Sequence, residues 1–341
     1  MNTSDKYINN LFLYWLISCL TLVFFIIIIG GLTRLTNSGL SITEWELFTG
    51  LLPPLNDSIW ELYFNQYKEI PQFKLLNFNM SLDEFKVIFY WEYIHRLLAR
   101  IIGLFFLFPL LFFYFTKKIN KTHIDICYKV FFLILLQGVI GWYMVKSGLV
   151  NDVTVSHFRL SIHLGIAFII ISIIFWLIQN IKKKTNVIFF KITKENLPFL
   201  FLIFLIFIQI IIGAFVSGLD AGRIYQTWPL MGETYFPDDF IALNNKDYIN
   251  FENQSLVQFY HRNLAYFIIF YILALGFYIY KKKLDFLFVP FKILLGFLFL
   301  QIILGILTLI TGLNIYLASL HQISSVILVF SAINIYYFRS K

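Results

Sequence analysis

The stretch EYIHRLLARIIGLFFLFPLLFFYF, residues 92–115, combines two features that indicate a fold. Most of it is apolar, and it is long enough to cross the hydrocarbon core of a bilayer as a helix. Its beginning, however, carries Glu92, His95, Arg96 and Arg100. Ionisable groups are costly inside a membrane and usually mark a site. The stretch therefore predicts a transmembrane helix with side chains of a functional site at one end.

The composition extends this prediction to the whole chain. Of its 341 residues, 59% are hydrophobic and only 13% are charged, which is too little charge for the surface of a soluble protein. Backbone at membrane depth must satisfy its own hydrogen bonds, so apolar runs of this length are helices. We predict an all-α integral membrane protein whose eight transmembrane helices lie at about 11–30, 88–115, 125–146, 160–180, 197–217, 259–280, 288–311 and 317–338.

The basic residues indicate the orientation in the membrane. The connections after the second, fourth and sixth runs each carry at least three lysines. The long connections are acidic: residues 30–87 hold seven Asp/Glu against four Lys/Arg, and residues 218–257 hold six against two. Because cytoplasmic loops are enriched in Lys and Arg, we predict a multi-pass protein of the cell inner membrane with both termini in the cytoplasm. The net charge of +8 is then explained by the topology of the chain in the membrane. The lipid bilayer is an expected partner, and no nucleic-acid partner is expected.

The chain also contains an internal repeat. Three pairs of segments match in the same order: IGGLTRLTNSGLSITEW (29–45) with IGAFVSGLDAGRIYQTW (212–228), HRLLA (95–99) with HRNLA (261–265), and LQGVIGWYMVKSGL (136–149) with LQIILGILTLITGL (300–313). An even number of helices in each half makes the repeats parallel, with a pseudo-two-fold axis along the membrane normal. We place an N-terminal half at residues 1–196 and a C-terminal half at 197–341, each a four-helix bundle.

The repeat divides the six histidines into two groups. His123 and His157 have no counterpart in the other half, and we expect them to be ordinary interfacial residues. The other four lie near the same end of the second, fourth, sixth and eighth helices. They form two equivalent sets, in which His95 corresponds to His261 and His163 corresponds to His321.

Two histidines on two helices of one bundle have the arrangement of bis-imidazole haem ligation. Zinc usually takes three or four protein ligands, often with Cys or carboxylate, and neither half supplies such a cluster. Any one of these histidines alone is equally well explained as a hydrogen-bonded interfacial residue, but their repetition favours ligation. We therefore predict that His95 and His163 bind one haem iron and that His261 and His321 bind another.

Three arginines lie beside these histidines. Arg96 and Arg262 directly follow the first histidine of each set, and Arg159 lies about one turn before His163. A guanidinium binds a carboxylate through two parallel hydrogen bonds, so these arginines are candidate ligands of the haem propionates. The alternative is that they anchor the helix ends at the lipid headgroups.

One position distinguishes the two predicted pockets. Glu92 lies three residues before His95 on the same helical face, and its counterpart is Gln258, which exchanges no proton at neutral pH. The second pocket is therefore predicted to hold a permanent, electron-carrying haem and the first a haem on which chemistry is done. Glu92 would act there as a general base or stabilise a developing cation. Alternatively, it only pairs with Arg96 or another cation.

The segments GGLTRLTNSGLSITEW, EYIHRLLAR, HFRLSIHLG, AGRIYQTWPLMG and LHQISS resemble the haem A synthase family, particularly its mitochondrial and alphaproteobacterial branch. The resemblance covers nearly the whole chain. It implies haem b at His261 and His321, and haem O as the substrate at His95 and His163. It also implies oxidation of the C8 methyl group of haem O to a formyl group by two successive hydroxylations, with Glu92 as the catalytic candidate. Haem O synthase is the implied donor of the substrate.

The chain departs from many bacterial members of that family, which carry a cysteine pair in an outer loop. Its two cysteines, Cys19 and Cys127, lie in or beside apolar runs, where we expect small buried side chains. The electron acceptor is therefore not indicated, and a homo-oligomer is left open. Two other classes of function share some of these features. A di-haem electron-transfer cytochrome gives no reason for a glutamate in one half only, and a transporter usually binds near the midplane on interrupted helices.

Overall fold

The structure is a computed structural model that describes residues 3–45, 49–150, 153–242 and 244–341. The predicted long connections 30–87 and 218–257 thus include residues 46–48 and 243, which lie outside the described residues. Within the described part the chain forms ten α-helices. They are α1 (Thr3–Leu35), α2 (Asp57–Lys68), α3 (Pro71–Leu75), α4 (Leu82–Thr116), α5 (Lys121–Gly148), α6 (His157–Lys183), α7 (Leu197–Gly218), α8 (Gln254–Lys281), α9 (Phe288–Ile310) and α10 (Ile315–Ser340).

Eight of these helices, α1 and α4 to α10, are long and apolar enough to cross a membrane. This confirms the predicted all-α membrane fold with eight spans. Several helices begin before their apolar runs because a polar first turn is capped. The N-terminus of α4 has a capping box, in which Ser81 and Glu84 satisfy each other's backbone N–H groups. Asn253 and Asn314 cap α8 and α10 through their side-chain oxygens.

The chain divides into two compact units, Met1–Ile174 and Phe175–Lys341. In the first unit α4 packs against α1 and α5, and in the second α10 packs against α9 and α7, and α7 packs against α8. The division falls within α6, whose last turns belong to the second unit. There, Gln179 donates a hydrogen bond to Asn334 of α10. The predicted boundary between residues 196 and 197 and the pseudo-two-fold relation of the halves stay predictions.

The repeat is visible in unusual backbone conformations. Asn37, after α1, and Asp220, after α7, occupy equivalent positions and have φ angles of 52° and 53°. Lys117, after α4, and Lys283, after α8, are also equivalent and have φ angles of 54° and 50°. Positive φ is uncommon for residues other than glycine. These two matches show that equivalent helices of the two halves are followed by the same unusual backbone conformation.

The first long connection is folded onto the start of α4. Helices α2 and α3 bury an aromatic cluster against this end of α4, formed by Trp60, Phe64, Tyr67, Phe85 and Phe89. The Tyr67 hydroxyl donates to Gln72, whose amide donates in turn to the backbone oxygen of Asn37. The cluster and these hydrogen bonds hold residues 37–45 over the beginning of α4, close to the predicted site.

Candidate haem-binding histidine pairs

The four repeated histidines lie in the N-terminal halves of their helices. His163 and His321 are each six residues from the first residue of α6 and α10. His95 lies in α4 and His261 in α8. All four side chains are partly buried. The structure thus places one histidine on each of two helices in each unit, as the repeat predicts.

The two histidines of the first unit face each other. The ring centroids of His95 and His163 are 6.5 Å apart and the rings are nearly perpendicular, at 80°. A metal–imidazole bond is about 2 Å long, so two imidazoles on one metal have centroids separated by about 6 Å. The first pair therefore has a spacing that suits a shared iron. In the second unit, His261 and His321 lie in α8 and α10, at the positions equivalent to His95 and His163.

Each histidine lies against a glycine of a neighbouring helix. A Cβ atom added to the glycine would lie within 3.4 Å of the imidazole in every case, so a larger side chain would press on the ring. The contacts are Gly30 with His95 (3.2 Å), Gly141 with His163 (3.4 Å), Gly213 with His261 (3.0 Å) and Gly305 with His321 (3.0 Å). These glycines are themselves equivalent in the repeat, so each half has the same two helix-to-ring contacts.

The chemistry of the donor set fits haem iron. The Nδ1 atoms of His163 and His321 are buried and have no hydrogen-bond partner among the described residues. Such atoms are costly unless another group satisfies them. Among the same residues, no group of three or more His, Cys, Asp or Glu side chains could hold a metal ion. Two imidazoles per site suit a haem, because the porphyrin would supply the remaining ligands of the iron.

Glu92 is buried and fully hydrogen-bonded. Its side chain accepts hydrogen bonds from the Ser41 hydroxyl (2.7 Å), the Ile42 backbone N–H (2.9 Å) and the Arg96 guanidinium (2.7 and 3.0 Å). The residue is only 2% exposed. The pairing with Arg96, which the sequence left as an alternative, is therefore present. Glu92 links α4 to the segment that follows α1.

Both arginines that follow a histidine bind this same segment in their own half. Arg96 donates to the backbone oxygens of Ile42 (2.8 Å) and Glu44 (3.1 Å). Arg262 donates to the equivalent oxygens of Tyr225 (3.0 Å) and Thr227 (2.9 Å). Two of the three guanidinium groups that the sequence assigned to haem propionates thus bind the segment that follows α1 or α7.

The halves differ where Glu92 is replaced by Gln258. The Gln258 amide donates to the backbone oxygen of Tyr225 (2.8 Å), whereas Glu92 accepts from the backbone N–H of the equivalent Ile42. The direction of the hydrogen bond to this segment is therefore reversed. The Oε1 atom of Gln258 is buried without a hydrogen-bond partner in the described chain.

Arg159 has a different environment from the other two arginines. Its guanidinium donates to the Ser147 hydroxyl of α5 and lies over the Tyr143 ring, 4.7 Å from the ring centroid. Neither contact has a counterpart in the second half, where Leu317 occupies the equivalent position. The two histidines that were expected to be interfacial residues also have different surroundings. His157 is buried against Phe158, and His123 stacks with Phe12.

Some residues of the site were not singled out from the sequence. Ser41 and Ile42 bind Glu92, and Gln209 of α7 contacts His261. A backbone N–H carries no sequence signal, so Ile42 was not predictable. A stronger signal was available for the glycines, because they recur at equivalent positions one helix before each histidine.

Comparison with known proteins identifies the family. The model of a cytochrome oxidase assembly protein family, COX15-CtaA, matches residues 13–333. A protein of Pelagibacter ubique named "Heme A synthase" is 52% identical over 343 residues, covering 99% of each chain. Proteins of the same name from Rickettsia bellii and Parvibaculum lavamentivorans are 41% and 44% identical. The first match covers 92% of this chain and 94% of the relative, and the second covers 75% and 74%.

An integral membrane protein is the class that the eight apolar helices define. The chain belongs to the COX15-CtaA family of cytochrome oxidase assembly proteins.

Proposed function

We propose that the two histidine pairs bind different haems in a haem A synthase, the enzyme that oxidises haem O to haem A. The function itself follows from membership of the family and from the names of relatives that match nearly the whole chain. What we add is an assignment of residues. His95 and His163 bind the substrate haem O, and His261 and His321 bind a permanent haem b.

The observation that carries this assignment is the exchange of a carboxylate for an amide, Glu92 for Gln258, between two sites that share a histidine pair. Both have a histidine pair, a glycine against each ring and an arginine that binds the segment after α1 or α7. Among the described residues, only the first has a buried carboxylate, Glu92, one helical turn from a candidate ligand. An electron-transfer site needs no such group, whereas oxidation of a ring methyl group requires stabilisation of charge or movement of a proton.

The contacts of Glu92 limit what it does. Its hydrogen bonds to Ser41, Ile42 and Arg96 fix the segment after α1 against α4, next to the substrate pair. We propose that Glu92 serves first as a fixed anion that places Arg96 and this segment. It accepts a proton from substrate only after one of these donors moves away, because each of its oxygens already has donors in the structure.

The other residues bind and orient. The glycines behind the rings set how far each imidazole extends from its helix. Bound haem b would supply one-electron transfer, and His261 and His321 would hold its iron. Oxidation of haem O also requires an external electron acceptor, which we place outside this chain. We further propose haem O synthase as the donor of substrate, and an inner-membrane location with both termini in the cytoplasm, in agreement with the lysines after α4, α6 and α8.

Co-expression with a haem O synthase in a host that makes no haem A tests the activity. Non-covalent haems are extracted and identified by chromatography and mass. Haem A, or its hydroxylated precursor, that appears only with this chain supports the proposal. Haem b alone, with haem O unconverted beside a well-folded protein, would instead indicate the electron-transfer cytochrome.

A further inference from the structure

The first long connection exposes apolar side chains as well as burying them. In segment 50–55, GLLPPL, three leucines are largely exposed: Leu51 (48%), Leu52 (69%) and Leu55 (75%). In the helix that follows, α2, Ile59 and Leu62 are exposed too. Exposed apolar surface of this extent marks a contact with a membrane or with another protein. The position of these residues beside α4 decides between the two.

Segment 50–55 lies beside the part of α4 that enters the membrane. The Tyr93 hydroxyl donates a hydrogen bond to the backbone oxygen of Leu51 (2.6 Å). The Arg100 guanidinium donates to the backbone oxygen of Gly50 (3.1 Å). A helix of about 20 residues spans the hydrocarbon core, and counted back from Thr116, the last residue of α4, this length begins at about residue 97. Tyr93 and Arg100 therefore lie on either side of the hydrocarbon boundary, and they hold the segment at that depth.

Helix α2 packs on the water side of this boundary. The Trp60 ring contacts the rings of Phe89 and Tyr90, whose centroids are 5.0 and 5.5 Å away. Tyr90 lies ten residues before Arg100 in the sequence, which is about 15 Å along a helix. Trp and Tyr are enriched at the membrane–water interface. The connection thus extends along α4 from the headgroup region to the edge of the hydrocarbon.

The two exposed sides of α2 differ in polarity. Ile59 and Leu62 are three residues apart, so they share one side of the helix. Glu61, Asn65 and Lys68 follow each other at intervals of four and three residues, so they share another side. The remaining side is buried in the aromatic cluster. A helix with separate apolar and charged sides is suited to lie in the plane of the membrane interface.

The backbone of segment 50–55 is also suited to this depth. Irregular backbone near lipid is costly, because its N–H and C=O groups find few partners there. The oxygens of Gly50 and Leu51 are already bonded to side chains of α4. Pro53 and Pro54 have no N–H group that would need a partner. The segment therefore presents fewer unsatisfied polar groups than an ordinary loop.

We propose that segment 50–55 and the apolar side of α2 form a lipid-binding surface, which inserts its leucines into the leaflet where α4 begins. The occupant is the acyl-chain region of phospholipid, because the surface continues the lipid-facing side of α4. Ile94 and Ile101 directly follow Tyr93 and Arg100, and both are exposed apolar residues of this membrane helix. This surface is independent of which haem each histidine pair binds.

The test uses the full-length protein in lipid nanodiscs that hold one copy, so that no second chain covers the surface. Single cysteines are introduced as Leu52→Cys or Leu55→Cys, in a chain that also carries Cys19→Ser and Cys127→Ser. Each thiol reacts with a charged and with a neutral maleimide of similar size. The ratio of the two rates cancels differences in steric access and in thiol ionisation.

Two control positions define the limits of this ratio. Asn65→Cys, on the polar side of α2, reports access from water. Ile101→Cys, in the membrane-spanning part of α4, reports access from lipid.

A charged reagent is excluded from the hydrocarbon, whereas a neutral one enters it. We expect the charged-to-neutral rate ratio at Leu52→Cys and Leu55→Cys to be about tenfold lower than at Asn65→Cys and close to that at Ile101→Cys. A ratio at either leucine position equal to that at Asn65→Cys would overturn the inference and would assign the leucines to a protein partner instead.

Discussion

Alanine in place of Gly213 or Gly305 would test how closely the second histidine pair is held. The added Cβ would lie 3.0 Å from Cε1 of His261 or His321. Favourable carbon–carbon contact begins at about 3.5 Å, so the ring would have to move by about 0.5 Å. Overpacking of this kind costs about 1–3 kcal/mol. Alanine gains about 1 kcal/mol over glycine within a helix, so the helix itself is not weakened.

The substitution is therefore expected to displace the histidine ring without weakening the helix that carries the alanine. We expect haem b to bind about tenfold more weakly, the equivalent of about 1.4 kcal/mol. Gly296→Ala is the matched control for Gly305→Ala, because Gly296 is in the same helix, α9, and its added Cβ would have no neighbour within 4 Å. Haem b per chain is measured by absorption after purification, and stability by thermal unfolding. Haem loading of Gly305→Ala equal to that of Gly296→Ala would refute the reasoning.

Four further variants test other parts of the site. Glu92→Gln is expected to bind haem O but to convert it at least about 100-fold more slowly; undiminished conversion would remove Glu92 from the mechanism. Arg262→Lys loses the two guanidinium hydrogen bonds to the backbone oxygens of Tyr225 and Thr227. A protease should therefore cut the connection after α7 faster than in the wild type. An unchanged cleavage rate would contradict this expectation. Burial alone would raise the pKa of Asp239, but hydrogen bonds from Ser255 and Tyr225 outweigh it and keep that pKa below its ordinary value of 3.8. Because the folded pKa lies below the unfolded one, these bonds stabilise the connection above about pH 4 and are lost at lower pH. Protease protection of this connection should fall on acidification in the wild type but not in Asp239→Asn. Cys19→Ser with Cys127→Ser should keep activity if the buried thiols take no part in electron transfer.

The membrane helices were predictable because length and hydropathy are local properties of the sequence. The runs at 88–115 and 259–280 became α4 and α8, extended at their N-termini by capped polar turns. Helix α2 was not predicted. Its buried residues Trp60, Phe64 and Tyr67 nevertheless have helical spacing, which was a usable signal.

The repeat identified the four histidines, but it did not show what surrounds them. Arg96 and Arg262 bind backbone oxygens, which look the same whatever residue carries them. The contact of Gln209 with His261 joins residues 52 positions apart, and no internal match indicates it because its counterpart is Ile26. The repeat therefore predicted what the halves share and the exchange of Glu92 for Gln258, whereas the contacts around the histidines depended on the three-dimensional structure.

The central claim is that the two histidine pairs hold different haems. It is tested most directly by counting haem b, haem O and haem A per chain in His163→Ala and His321→Ala, each co-expressed with a haem O synthase. We predict that His321→Ala loses haem b, whereas His163→Ala keeps haem b and leaves haem O unconverted. Loss of the same haem in both variants, or full haem b occupancy in His321→Ala, would contradict the assignment.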